Sequence, residues 1–82
     1  MHAARPVKRS LTLRGHRTSV SLEDAFWTAF RRIAAEEDLA LNELAARIDA
    51  QRDPETGLAS AIRVFILEHA LARRRDTPAT PD

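Results

Sequence analysis

Between Lys8 and Leu22 the chain alternates polar and apolar side chains, then passes straight into an amphipathic helical pattern. In Arg17-Thr18-Ser19-Val20-Ser21-Leu22 the odd positions carry Arg17, Ser19 and Ser21, and the even ones Thr18, Val20 and Leu22. A period of two sends successive side chains to opposite faces of a strand, so one face packs while the other stays outward. Leu11, Leu13, Val20 and Leu22 make up the apolar side. Gly15, within Arg14-Gly15-His16, permits a tight turn or a bulge. Two foldings are open: residues 10–13 turned back on residues 17–22 as a hairpin, or one longer, kinked ribbon.

The helical part divides into three. In the first helix Leu22, Phe26, Ala29, Phe30, Ile33 and Ala34 recur at three- and four-residue spacing, which defines one face. Ser21-Leu22-Glu23-Asp24 has the form of a capping box with Ser21 as N-cap, and Glu23 and Asp24 complement the positive end of the helix. Trp27 falls beside the apolar face, at the expected edge of the core or at a subunit seam. Glu36, Glu37 and Asp38 oppose the helix dipole at the carboxyl end. A second helix is expected over residues 41–50, with Leu41, Leu44, Ala45 and Ile48 inward. Asp53-Pro54-Glu55-Thr56-Gly57 breaks the pattern. The third helix is expected over residues 58–74, and its apolar residues, Ile62, Phe65 and Ile66 among them, wrap most of its girth. Arg73, Arg74 and Arg75 suit its carboxyl end.

Eighty-two residues allow one small domain, and a domain of that size buries only about 60–65% of its unfolded surface. Residues 1–7 are expected to form a flexible basic arm, residues 8–75 the domain, and residues 76–82, with two prolines and no large apolar side chain, a disordered tail. Some sixty-eight residues must then bury a chain that is 44% hydrophobic without a disulfide. That combination, and the girdling apolar pattern of the third helix, point to a core shared with a second copy. The chain has no cysteine, which removes disulfides and thiolate zinc sites and fits a reducing cytoplasm. His2, His16 and His69 lack ligand spacing, so no metal or other cofactor is expected. No apolar run reaches membrane-spanning length, and the amino terminus lacks a signal-peptide core.

Net charge is only +1, but it is segregated: residues 1–22 hold five cations and no acid, residues 23–55 four cations and nine acids. A basic block without acids is the electrostatic footprint of phosphate binding. It coincides with the strand whose outward row is Arg17, Ser19 and Ser21, side chains suited to hydrogen-bonding base edges, on a ribbon narrow enough for the major groove.

The block Thr12-Leu13-Arg14-Gly15-His16-Arg17-Thr18-Ser19-Val20-Ser21-Leu22-Glu23, with Leu39-Ala40-Leu41-Asn42-Glu43-Leu44 and Ser60-Ala61-Ile62-Arg63-Val64-Phe65-Ile66-Leu67-Glu68, resembles the ribbon-helix-helix family of bacterial DNA-binding proteins over residues 8–70. The resemblance implies a mainly helical, intertwined homodimer with a short amino-terminal β-ribbon and, here, one additional helix. Each chain would give one strand to an antiparallel ribbon lying in the major groove of double-stranded DNA. By position, Arg17, Ser19 and Ser21 would read bases. Lys8, Arg9 and Arg14 would meet phosphate, as would the backbone amides at Leu41 and Asn42, where a helix amino end faces an anion. Val20, Leu22, Phe26, Phe30, Ile62, Phe65 and Ile66 would build the dimer core. Asp38 stands where the family usually ends its first helix on glycine, and Ala40 where a Ser or Thr usually caps the next. Either the second or the third helix could take the part of the family's second helix.

The main functional expectation is thus a dimeric, sequence-selective DNA-binding regulator. The competing one is a protein-interaction module, an antitoxin-like or adaptor dimer, in which residues 10–13 could cover the reading row. No nucleophile elbow, metal spacing or phosphate-cradling glycine loop suggests an enzyme.

Overall fold

A computed structural model describes residues 5–76. Two strands, β1 (Pro6–Leu13) and β2 (His16–Glu23), precede three helices, α1 (Asp24–Glu36), α2 (Leu41–Gln51) and α3 (Leu58–Asp76). The strands pair antiparallel, from Leu13 opposite His16 to Pro6 opposite Glu23. The connection is two residues long, and both have positive φ: 52° at Arg14 and 86° at Gly15. That is the left-handed pair a type I′ hairpin turn demands, because its twist matches the twist of the strands it joins. Of the two foldings open from sequence, the hairpin is the one adopted. β2 therefore has a partner strand within its own chain.

Leu11, Leu13, Val20 and Leu22 are buried against the helices, as the alternation predicts. Strand pairing continues to Glu23, so α1 starts at Asp24 with Glu23 as its N-cap residue and no side-chain cap. The expected Ser21 cap is corrected: Ser21 is a β2 residue. The row that α1 turns inward is Trp27, Phe30, Ile33 and Ala34, while Phe26 is half-buried. Trp27 is completely buried rather than at an edge. Its indole N–H, which needs an acceptor once buried, donates to the Val7 carbonyl at 2.8 Å. This bond ties β1 to α1.

The acidic end of α1 is closed by geometry. Asp38 has φ 58°, its N–H donates to the Ala35 carbonyl, and the Leu39 N–H donates to the Ala34 carbonyl. That is the Schellman closure usually built on glycine. Helix α2 buries Leu44, Ala45, Ala46 and Ile48 and leaves Leu41 half-buried. Arg52 pins the following loop, donating to Asp49 Oδ1 at 2.7 Å and to the Thr56 carbonyl at 2.8 Å.

Among its described side chains, helix α3 buries Ile62 and Ile66, while Val64, Leu67 and Leu71 are about half exposed. Five of the residues expected at a dimer core, Val20, Leu22, Phe30, Ile62 and Ile66, are buried within one chain, so their burial needs no partner. Phe26 and Phe65 are half-buried. The domain limits also shift at both ends. Pro6 and Val7, expected in the arm, belong to β1, and Asp76, expected in the tail, closes α3. The rest of the tail, residues 77–82, and residues 1–4 of the arm lie outside the described residues.

Candidate nucleic-acid interface

The hairpin has one packed face and one open face. Register places Lys8 opposite Ser21, Ser10 opposite Ser19 and Thr12 opposite Arg17, and side-chain alternation puts all six on the side away from the buried Leu11, Leu13, Val20 and Leu22. Five are exposed and Ser21 is half-buried. These six comprise two cations at diagonal corners and four hydroxyls, and the pair Pro6 and Glu23 continues the same face at its far end, where Arg63 holds the carboxylate. Within each row the side chains are about 6.6–7 Å apart.

Arg17, Ser19 and Ser21 thus form one row. Sequence reasoning missed its companion, because the row Lys8, Ser10, Thr12 exists only once the strands pair in this register. The signal was present at Arg14-Gly15. A two-residue turn there sets which β1 residues stand opposite β2.

The phosphate candidates scatter. Lys8 stands on the open face and Arg14 is exposed in the turn. Arg9 does not join them: it pairs with Val20 on the packed side, and its guanidinium lies 5.8 Å from the centroid of the Trp27 ring, within cation–π range. It acts as a clip over the indole, because parity sends it to the face opposite Lys8. At the start of α2 the first helical bond runs from the Leu44 N–H to the Ala40 carbonyl, so the amides of Leu41, Asn42 and Glu43 have no acceptor within the helix. Ala40 supplies no side-chain cap. Asn42 Oδ1 accepts the Thr12 N–H at 3.2 Å, which brings this helix end beside the hairpin.

That bond also fixes the phase of the ladder. Backbone groups in an antiparallel pair point alternately toward and away from the partner strand. Since the Thr12 N–H turns away from β2, Ser10 and Lys8 do the same on β1, and Arg17, Ser19 and Ser21 turn their backbone groups to the outer edge of β2. Pro6, which has no N–H, occupies an outward position in the same phase, where none is needed. Arg63 occupies part of the β2 edge. Its guanidinium donates to the Ser21 carbonyl at 3.4 Å and to Glu23 Oε1 at 2.8 and 3.0 Å, and lies 5.6 Å from the Phe26 ring centroid. A hydrogen bond from its own backbone N–H, and then the Arg63 guanidinium, hold the Glu23 carboxyl below its ordinary value of 4.5. Beyond Arg63, a shallow, almost wholly apolar groove of about 330 Å³ runs along Phe26, Val64, Ile66, Leu67 and Ala70.

Among the described residues no cluster of His, Cys, Asp or Glu could hold a metal, and no helix is long and apolar enough to cross a membrane. A family model described as a ribbon-helix-helix domain matches residues 6–70, a span from the first residue of β1 well into α3. No curated protein and no solved structure matches the chain.

Proposed function

Because the chain belongs to the ribbon-helix-helix family, a family of non-enzymatic DNA-binding regulators, we propose that it acts as a sequence-selective homodimer that places β2 and its copy in the major groove. The observation that carries this reading is the open face of the hairpin. Six polar or basic side chains stand there in two rows, and Glu23, the acid at the far end of the β2 row, is paired with Arg63. β1 lies beside the Arg17, Ser19, Ser21 row and not across it, so the obstruction that an adaptor reading would favour is absent.

The dimer draws support from two contiguous features. The outer edge of β2 offers the backbone groups of Arg17 and Ser19 to a second strand, and the apolar groove beside Phe26, Val64 and Leu67 adjoins that edge through Arg63. Exposed apolar patches of this kind mark association surfaces, and an antiparallel β2–β2 pair is self-complementary, as a two-fold interface must be. In this arrangement Arg17 reads a guanine edge, Ser19 and Ser21 make single hydroxyl contacts, and Lys8, Arg14 and the α2 amides at Leu41 and Asn42 meet phosphate. The reducing cytoplasm is the compartment such a regulator would work in.

The test is an anisotropy titration with a labelled duplex of the DNA upstream of this gene and a shuffled duplex of equal length. Preference for the first is expected, and Arg17→Ala should collapse that preference by about 1–3 kcal/mol. Equal binding of both duplexes by the parent protein, or an unchanged preference in Arg17→Ala, would remove the reading role of β2.

A further inference from the structure

A strand added on each side of a two-stranded ribbon changes what fits in a groove. With β2 paired to its copy along the free edge, the hairpin makes the sheet four strands wide, in the order β1, β2, β2 of the second copy, β1 of the second copy. Strands lie about 4.8 Å apart, so each β2 runs about 2.4 Å from the two-fold axis and each β1 about 7 Å from it. The major groove is about 12 Å wide, and its walls stand about 6 Å from the same axis. β2 falls inside the groove. β1 falls over its rim, where the sugar-phosphate backbones run.

We infer that β1 is a second DNA-contacting strand, with Lys8, Ser10 and Thr12 lying along the phosphates that flank the groove read by β2. This rests on the DNA-binding dimer proposed above and adds to it a separate set of contacts. The chemistry of the row agrees with its place. Lys8 brings a charge that neutralises phosphate, and the Ser10 and Thr12 hydroxyls donate to phosphate oxygens, contacts that position without reading sequence. All three are exposed, and each stands opposite a member of the reading row. Arg9, the other cation within the strand, is turned to the packed side, so the charge of the row rests on Lys8. Thr12 is also held in place: Asn42 takes its N–H, which fixes the rim strand relative to the amino end of α2.

The upstream and shuffled duplexes, titrated across a series of salt concentrations, separate the two sets of contacts. Lys8→Gln should weaken both duplexes by the same factor. It should also flatten the slope of log K against log salt by about 2 per dimer, since each lost phosphate charge removes about 0.9. Ser10→Ala should weaken both duplexes equally and leave the slope alone, because a hydroxyl releases no counterion. Ser10→Glu should weaken both by tenfold or more through repulsion. Circular dichroism melting verifies that these exposed substitutions leave the fold intact. Unchanged affinity and slope in Lys8→Gln and Ser10→Glu, with Arg17→Ala still abolishing preference, overturns the rim strand and spares the reading strand. If Ser10→Ala or Lys8→Gln instead changes the preference between duplexes, β1 reads bases, and a single-chain hairpin fills the groove. If the parent protein binds neither duplex, the rim contacts fall together with the DNA-binding reading on which they rest.

Discussion

Trp27 shows how one polar atom organises a small core. It is the largest completely buried side chain, and its single donor reaches the Val7 carbonyl on β1. Trp27→Phe keeps most of the apolar contact but leaves a small void and removes the buried hydrogen bond that ties α1 to β1. A loss of about 2 kcal/mol is expected, measurable by urea unfolding; a loss within error would show that the hydrogen bond is dispensable. Asp38 invites the opposite change. Its left-handed φ of 58° closes α1, and a carboxylate at the negative end of a helix is doubly unsuited to that place. Asp38→Gly should stabilise the domain by about 0.5–1 kcal/mol, which for a domain of this size is a rise of roughly 4 °C in melting temperature. Glu23 carries the pH dependence. Its carboxyl is held below 4.5 by its own backbone N–H and by Arg63, so the native state binds that proton less readily than the unfolded chain. The resulting stability is complete above the ordinary value of 4.5 and is lost as pH falls from there through the depressed folded value. Glu23→Gln should be less stable at neutral pH and should show a flatter acid limb; an acid limb identical to that of the parent would assign the dependence to other carboxylates.

The hairpin is the element on which the interface depends, and its two turn residues are unequal. Gly15 adopts φ 86° with open space around the position where a Cβ would stand, so Gly15→Ala costs backbone strain alone, about 1 kcal/mol. Arg14 holds φ 52° against the preference of its own side chain. Arg14→Asn creates the Asn-Gly pair favoured in type I′ turns and should raise the melting temperature while weakening DNA binding without altering preference. A lower melting temperature in that variant would mean that the Arg14 side chain contributes to the fold. Much of this element is legible in the sequence: the alternation marks the buried Leu11, Leu13, Val20 and Leu22 correctly. The pairing of Lys8, Ser10 and Thr12 with Ser21, Ser19 and Arg17 is not, because it depends on which residues stand opposite one another. One shift of register would exchange the faces. The helix start was misplaced for a related reason. A Ser-x-x-Asp pattern caps a helix only where the chain is free to bend, and pairing between Pro6 and Glu23 keeps Ser21 extended.

For the whole molecule, the apolar surface of α3 distinguishes a finished monomer from half of a dimer. Val64 and Leu67 are 52% and 57% exposed, so a charge placed there would be harmless to an isolated chain. Leu67→Glu should therefore preserve helicity while shifting sedimentation from dimer to monomer at micromolar concentration. Parent and variant sedimenting alike as folded monomers would end the dimer proposal. Phe65 belongs to the same comparison. It is half-buried, with the His69 ring 6.2 Å away, so its truncation should cost less than the removal of a central core residue such as Ile62.

Local chemistry written along the chain determined the elements of this protein: alternation for the strands, three- and four-residue spacing for the helices, Pro54 and Gly57 for the break between α2 and α3, and a basic block confined to the first twenty-two residues. These signals need no knowledge of distant residues. The partner of β2 within its own chain, the complete burial of Trp27, the Schellman closure on Asp38 and the assembly of two polar rows on one face came from tertiary structure. The burial of Trp27 depends on a contact between residues far apart in sequence, while the hairpin and the closure on Asp38 depend on left-handed backbone angles at Arg14 and Asp38, residue types that do not announce them. The pairing of Arg63 with Glu23, forty residues apart, is the clearest instance. Glu23 reads locally only as an acid at the start of α1 and Arg63 carries no local pattern, and their meeting follows from the way α3 crosses the edge of β2.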